Sequence, residues 1–323
     1  MPTPISSALH NWIPYKLSML HDIPHCYWLY TGNQRYTAPF FDETISQCKS
    51  LPENSFPYRS LSTLDILPSW GAAMESAPPT AFIFHVSRCG STLIAQLLGL
   101  PEEHIVLAET PFLDQLLRLP YQQPNIDTTL IAKALPAALQ LYGQKRRGDE
   151  KHLFIKTDSW HFCFYRQLRQ LFPTVPFLLL YRSPDEVIQS QRRRRGMQSV
   201  QGVIEPELFG FDKDAIAACS LDDYMIKVLE YYFTTMLEIT GYDPHSLLVS
   251  YHEPVLQIMQ KIAAFTGITL QESELQVMQE RSRYHAKYPE QVFQEPASTT
   301  PLPDSILPVM ELYKQLETLR SRL

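Results

Sequence analysis

The sequence predicts an α/β fold, a parallel β-sheet flanked by helices. Three observations carry the prediction. Short apolar runs recur along the chain, each followed by a segment whose apolar residues fall at helical spacing. The most continuous run, Pro176-Phe177-Leu178-Leu179-Leu180-Tyr181, lacks polar alternation, which suits a strand covered on both faces. Two of the runs, ending near His85 and Tyr181, open directly onto polar turns at a helix start.

Residues 1–78 read as an aromatic-rich N-terminal extension or cap, and residues 79–323 as the α/β domain. Within the extension, Tyr27–Tyr30 predicts a strand, with a turn through Gly32-Asn33 and a return strand toward Tyr36. Phe41 to Ile45 opens a short helix. Ala77-Pro78-Pro79-Thr80 is a stiff connector into the first core strand, Phe82-Ile83-Phe84. A polar turn follows, then a helix with Leu93, Ile94, Leu97 and Leu98 on its apolar face. His104–Ala108 is the second strand, ended by Glu109-Thr110-Pro111. Helices follow over 112–119 and 128–142. Gln144 to Glu150 reads as a charged, solvated turn.

His152–Lys156 is the third strand, with a helix over 164–171 beyond Asp158 and His161. Residues 176–181 form the fourth strand, and Pro184 sits in the first turn of the helix after it, with Asp185 and Glu186 beside the positive end. Four arginines, Arg192–Arg195, end that helix and read as a solvated end. Residues 197–215 are loop, 221–239 a long helix, 246–250 the fifth strand and 255–266 a helix stopped by Gly267. A polar stretch over 281–287 and a final helix from Leu307 complete the chain.

Composition narrows the function. A chain of 323 residues supports one large domain or two small ones, and its net charge of −6 argues against a general binder of nucleic acid or anionic membrane. Five widely spaced cysteines without a C-x-x-C pair indicate neither a zinc site nor a disulfide framework, and predict reduced thiols in a cytoplasmic protein. No basic, then apolar leader opens the chain, and no apolar run approaches the ~18 residues of a membrane helix.

The turn after the first core strand, Ser87-Arg88-Cys89-Gly90-Ser91-Thr92, places helix N–H groups and a positive dipole end at the carboxyl edge of the sheet. Gly90 leaves room for an anion, Ser91 and Thr92 add hydroxyls, and Arg88 adds a permanent charge. The G-x-x-x-x-G-K-[ST] loop is not met: His85 stands at its first glycine and Ser91 at its lysine. Ninety residues on, Arg182 leaves a strand and Ser190 lies two helical turns later, with Pro184 and Asp185 between them.

The cation-x-G-S-T loop followed by R-x-P…S resembles the 5′-phosphosulfate loop and 3′-phosphate motif of sulfotransferases, in that family's order and particularly its bacterial branches. The resemblance spans about residues 80–290. It implies a P-loop-like three-layer sandwich and 3′-phosphoadenosine 5′-phosphosulfate as donor, leaving adenosine 3′,5′-bisphosphate, with no metal. Arg88, Cys89, Gly90, Ser91 and Thr92 would hold the 5′ end, and Arg182 and Ser190 the 3′-phosphate. Tyr251 matches the nucleotide-contacting tyrosine of the family's Tyr-Glu-Asp-Leu strand end, although His252 and Glu253 replace the residues after it. Arg283 and Lys287 stand where the family closes a basic loop, without its usual sequence.

The resemblance further implies in-line sulfonate transfer to a hydroxyl or amine; the aromatic N-terminal region points to a small-molecule acceptor, and the net charge and lack of a long apolar run predict no nucleic-acid or membrane partner. The catalytic candidates are Arg88, Lys156 and a general base, for which Glu109 is preferred to Asp158, with His161 third. Two other classes remain open: a nucleoside-triphosphate kinase on a related sheet, and a non-catalytic nucleotide-binding module.

Overall fold

In a computed structural model, described for residues 5–55, 58–284, 286–288, 290–292 and 300–322, eight strands form two sheets. β1 (Trp12–Leu20), β2 (Ile23–Tyr30) and β3 (Leu61–Thr63) are antiparallel, in that order. β4 (Pro79–His85), β5 (His104–Ala108), β6 (His152–Lys156), β7 (Phe177–Tyr181) and β8 (Ser246–Ser250) form a parallel sheet in the order β5-β6-β4-β7-β8. Helices connect its strands. The fold is thus the α/β class expected, and β5, β6 and β8 span the predicted residues. Among the described residues no helix is long and apolar enough to cross a membrane.

Contacts divide the chain into two compact units. The first comprises Met1–Ala81 and Ala95–Lys156, so the N-terminal segment clusters with β5, β6 and the helices between them. Its hairpin differs from the expected one. The turn is His21-Asp22, both at positive φ (51° and 62°), the backbone of a two-residue hairpin turn. The run before Tyr30 is therefore the return strand. A register shift between Pro14 and Lys16 breaks the alternation of β1, which hides it from a period-2 reading. The Thr128–Tyr142 helix and the turn after it anchor this hairpin: the Tyr142 hydroxyl donates to Pro14 O, and Gln144 Nε2 donates to Trp12 O at 2.8 Å.

The turn expected to be solvated is largely buried. Gln144, Arg146 and Glu150 are 2%, 7% and 2% exposed. Burial is sustained because most of these polar groups have partners, Arg146 Nε being the exception. Arg146 donates to Gln34 O at 2.8 Å and its guanidinium lies 4.0 Å from the Tyr36 ring centroid. Glu150 accepts from Arg147 N and Gly148 N. Its pKa is lowered: burial acts to raise it, but these hydrogen bonds outweigh that.

The second unit comprises Phe82–Ile94 and Thr157–Leu323. Here Phe82–His85 of β4 pair with Phe177–Leu180 of β7, and β7 pairs in register with β8 along its whole length. All five residues of β7 are buried. The helices Pro184–Arg193, Leu221–Tyr242, Val255–Thr266 and Leu307–Arg320 follow the predicted pattern, and Gly267 caps its helix at φ +72°. A helix over Glu272–Arg281 was not expected. The final helix is tied to the sheet, since the Tyr181 hydroxyl donates to Glu317 Oε1 at 2.5 Å.

The arginines at the end of the Pro184–Arg193 helix are not simply solvated. Arg192 and Arg195 both bond the Asp222 carboxylate, and Arg192 also donates to Pro301 O at 3.0 Å. Burial alone would raise the Asp222 pKa, but the two guanidinium bonds leave it lowered.

Candidate functional site

The turn between β4 and the Ser91–Leu98 helix is built on two left-handed residues, Arg88 (φ 65°) and Gly90 (φ 78°). Gly90 O accepts the first helical bonds, from Leu93 N at 2.9 Å and Ile94 N at 3.2 Å. The amides of Ser91 and Thr92 therefore lie in the first turn, ahead of the intrahelical ladder, where an anion is favoured. The Cys89 thiol points away, donating to Leu180 O at 3.5 Å, so Cys89 offers the site its backbone.

Arg182 follows β7 and is 5% exposed. Its NH1 donates to Arg88 O at 3.2 Å and its Nε to Glu186 Oε2 at 2.9 Å. Its guanidinium lies 4.1 Å from the centroid of the Tyr251 ring, a cation–π distance. Tyr251 also backs the turn: a Cβ on Gly90 would fall 3.0 Å from Tyr251 Cδ2. Arg88, Gly90, Arg182 and Tyr251 therefore meet in one cluster of the second unit, although they lie on three separate stretches of chain. His252 Nε2 faces Glu186 Oε2 at 3.1 Å, so that carboxylate lies between Arg182 and His252.

The remaining cofactor candidates are less concentrated. Ser190 is half-buried in the second turn of its helix. The Arg88 guanidinium donates to Arg194 O, the carbonyl beyond that helix's end. Arg283 is exposed and Lys287 half-buried beyond the Glu272–Arg281 helix, while His285 lies outside the described residues.

The first unit carries the other catalytic candidates. Ala108 and Lys156 pair at the carboxyl ends of β5 and β6. Just beyond, Glu109 adopts φ 56°, uncommon for a residue other than glycine, and its N donates to Lys156 O at 2.8 Å. The Lys156 side chain is fully buried, and its ammonium is ion-paired with Glu109 Oε1. It also lies 5.5 Å from the Phe40 ring centroid. Asp42 belongs to the same surroundings: burial raises its pKa, Lys49 lowers it and the Glu109 charge raises it further.

Asp158, in the second unit, is otherwise engaged. It caps the 3-10 turn Ser159–Phe164, its carboxylate accepting from the His161 backbone while His161 Nδ1 accepts from Asp158 N at 3.3 Å. Asp158 and His161 form a reciprocal box of the kind that starts helices.

No protein-family model and no curated protein matches the chain. Solved structures that it matches include sulfotransferases. One from Mycobacterium avium aligns at 14% identity over 78% of this chain and 78% of its own, with a TM-score of 0.47. One from Mycobacterium tuberculosis aligns at 12% identity over 76% and 78%, with a TM-score of 0.42. A mouse sulfotransferase complexed with PAP aligns at 12% identity over 80% and 88%, with a TM-score of 0.39.

One residue of the cluster escapes a sequence reading. Gln191 is fully buried, donates to Ser87 Oγ through Nε2 and accepts from Gly196 N at 2.8 Å through Oε1. It ties the start of the turn to the end of the Pro184–Arg193 helix. A single glutamine on a helix gives no signal of this. Its one clue is adjacency to Ser190.

Proposed function

We propose that the chain is a sulfotransferase that moves a sulfonate from 3′-phosphoadenosine 5′-phosphosulfate to a hydroxyl or amine of a small-molecule acceptor. One observation carries the reading: two anion-binding motifs some ninety residues apart meet at Arg182, whose guanidinium bonds the Arg88 carbonyl and stacks on Tyr251. A lone helix N-terminus accepts many anions. A helix N-terminus beside a buried guanidinium on an aromatic ring suits a nucleotide with separate phosphates.

The residues present fit that donor. The turn's amides and the Ser91 and Thr92 hydroxyls would hold its 5′ end, in a turn where a side chain at Gly90 would crowd the Tyr251 ring. Arg182, with Ser190, would hold the 3′-phosphate, and Tyr251 the nucleoside. The donor supplies an activated sulfonate whose departure leaves charge on a phosphate oxygen. Arg88 and the turn amides are the chain's means of stabilising that charge, and one preorganised donor of this kind is worth ~2.7–4 kcal/mol.

Glu109 is the proposed base. Its carboxylate stands at the carboxyl end of β5 beside Lys156 with oxygens that can accept a hydrogen bond from a hydroxyl, and its left-handed backbone is the sort of local strain that concentrates at functional positions. Lys156 orients it. The Asp158 carboxylate is occupied in a cap, which favours a structural role.

Calorimetric titration with adenosine 3′,5′-bisphosphate, beside ATP with Mg²⁺, tests the proposal. Tight binding of the bisphosphate with weak binding of ATP is expected. The reverse order would replace the reading with a kinase, and binding of neither would remove it.

A further inference from the structure

The opposite edge of the parallel sheet carries a second cluster that the proposed reaction does not use. His104 and His152 are the first residues of β5 and β6 and face each other in register. Their ring centroids are 5.2 Å apart and their planes perpendicular. Glu103 stands immediately before, its carbonyl fixed by Lys151 N at 2.8 Å and His152 N at 3.2 Å. One ligating atom from each of Glu103, His104 and His152 lies within 4.8 Å of the others.

We propose that Glu103, His104 and His152 form a binding site for a divalent transition-metal ion of the zinc class.

The hydrogen bonding of the rings supports the assignment. His104 Nδ1 donates to Leu98 O at 2.7 Å, so its proton is on Nδ1 and the Nε2 lone pair is presented. A ligand histidine oriented through its other nitrogen by a backbone carbonyl is the usual arrangement around bound zinc. His152 Nδ1 faces Thr80 Oγ1 at 3.4 Å, which again leaves Nε2 for a ligand.

Donor chemistry sets the class of ion. Two imidazoles and one carboxylate suit zinc and its neighbours, whereas magnesium and calcium favour oxygen ligands. Three protein ligands leave a fourth position for water. Metal bonds of ~2.0–2.2 Å place tetrahedral ligand atoms about 3.3 Å apart, so the three side chains would draw together by an ångström or so. The outer two can move, since neither Glu103 nor His152 is fully buried. Glu103 Oε2 is bonded by Lys151 Nζ at 2.6 Å, an exposed pair of the kind worth ~0–1 kcal/mol, so its release opposes binding little.

The site would pin together the starts of two neighbouring strands. It lies four residues upstream of the Ala108–Lys156 pair, about 13 Å at the rise of a strand. A metal here stabilises the fold and takes no part in sulfonate transfer.

The test uses the full chain, stripped with a chelator and titrated separately with Zn²⁺ and Co²⁺. One metal per chain, a tetrahedral cobalt absorption band and a rise in melting temperature are expected. His152→Gln and Glu103→Gln change surface-accessible side chains, so they keep the test interpretable if His104→Ala does not fold. Each should weaken metal binding by more than the ~10–100-fold typical of losing an outer-shell partner. The proposal fails if the stripped chain takes up no stoichiometric metal, or if both variants bind as the parent does, which would place the metal elsewhere, such as on cysteines. None of these readouts depends on sulfotransferase activity.

Discussion

Gly90→Ala isolates what the turn contributes. The residue sits at φ 78°, where an L side chain costs ~1–2 kcal/mol. The added methyl would also stand 3.0 Å from Tyr251 Cδ2, inside the ~3.5–4.0 Å optimum for carbon contacts. Relief requires the tyrosine ring to retreat by about half an ångström. That ring supports Arg182, so the strain should be felt twice. Unfolding in urea should show a loss of about 2 kcal/mol, a large share of the ~5–15 kcal/mol that holds a typical domain. Affinity for adenosine 3′,5′-bisphosphate should fall by at least tenfold, ~1.4 kcal/mol, as Tyr251 and Arg182 shift. The double variant with Tyr251→Ala separates the two effects: the contact is relieved but the backbone cost stays, so the stability losses should be less than additive. A Gly90→Ala protein with parental urea midpoint and parental affinity would refute the argument, because neither the left-handed turn nor the ring contact would then matter.

Other substitutions address the remaining roles. Glu109→Gln should lower turnover by ~10²–10⁴-fold while bisphosphate affinity stays near parental; retained turnover would move the base to Asp158. Asp158→Ala should cost ~0.5–2 kcal/mol of stability through loss of its cap, read from the denaturant midpoint, with bisphosphate affinity unchanged. Arg182→Ala removes hydrogen bonds to a charged group, each worth ~1.5–3 kcal/mol, and should weaken the bisphosphate by roughly 10–100-fold in calorimetry. Asp222 has a folded-state pKa below its ordinary 3.8, so its contribution is complete above that value and is lost as pH falls through the lower folded one. Asp222→Asn should therefore reduce stability at pH 7 and flatten its decline below about pH 4, as followed by thermal melts across that range.

The strands of the parallel sheet were legible because their runs are short, apolar and bounded by turn residues. β5 and β6 could be bounded to the residue. β1 was not, because the irregularity between Pro14 and Lys16 shifts its side chains out of a simple alternation. Arg146 and Glu150 looked like surface charges, since sequence displays charge but not the carbonyls and rings that make burial tolerable. Arg88 and Arg182 stood out through spacing. Their meeting on Tyr251, the role of Gln191 and the left-handed backbone of Glu109 depend on long-range packing, which no local pattern records.

The cluster around Gly90 also has a history in time. Arg88 must wait for Arg182, 94 residues later, and Gly90 for Tyr251, about 160 residues later. At ~5–20 residues per second, a ribosome takes roughly 8–30 s to cover the longer interval. Throughout it, the nascent turn has its glycine and its hydroxyls but not the guanidinium and aromatic ring that complete it. The first unit has all of its sequence once residue 156 is made, whereas the second begins at Phe82 and needs the last part of the chain. Competence to bind a nucleotide should therefore arrive late and abruptly during synthesis, after Tyr251 has left the ribosome.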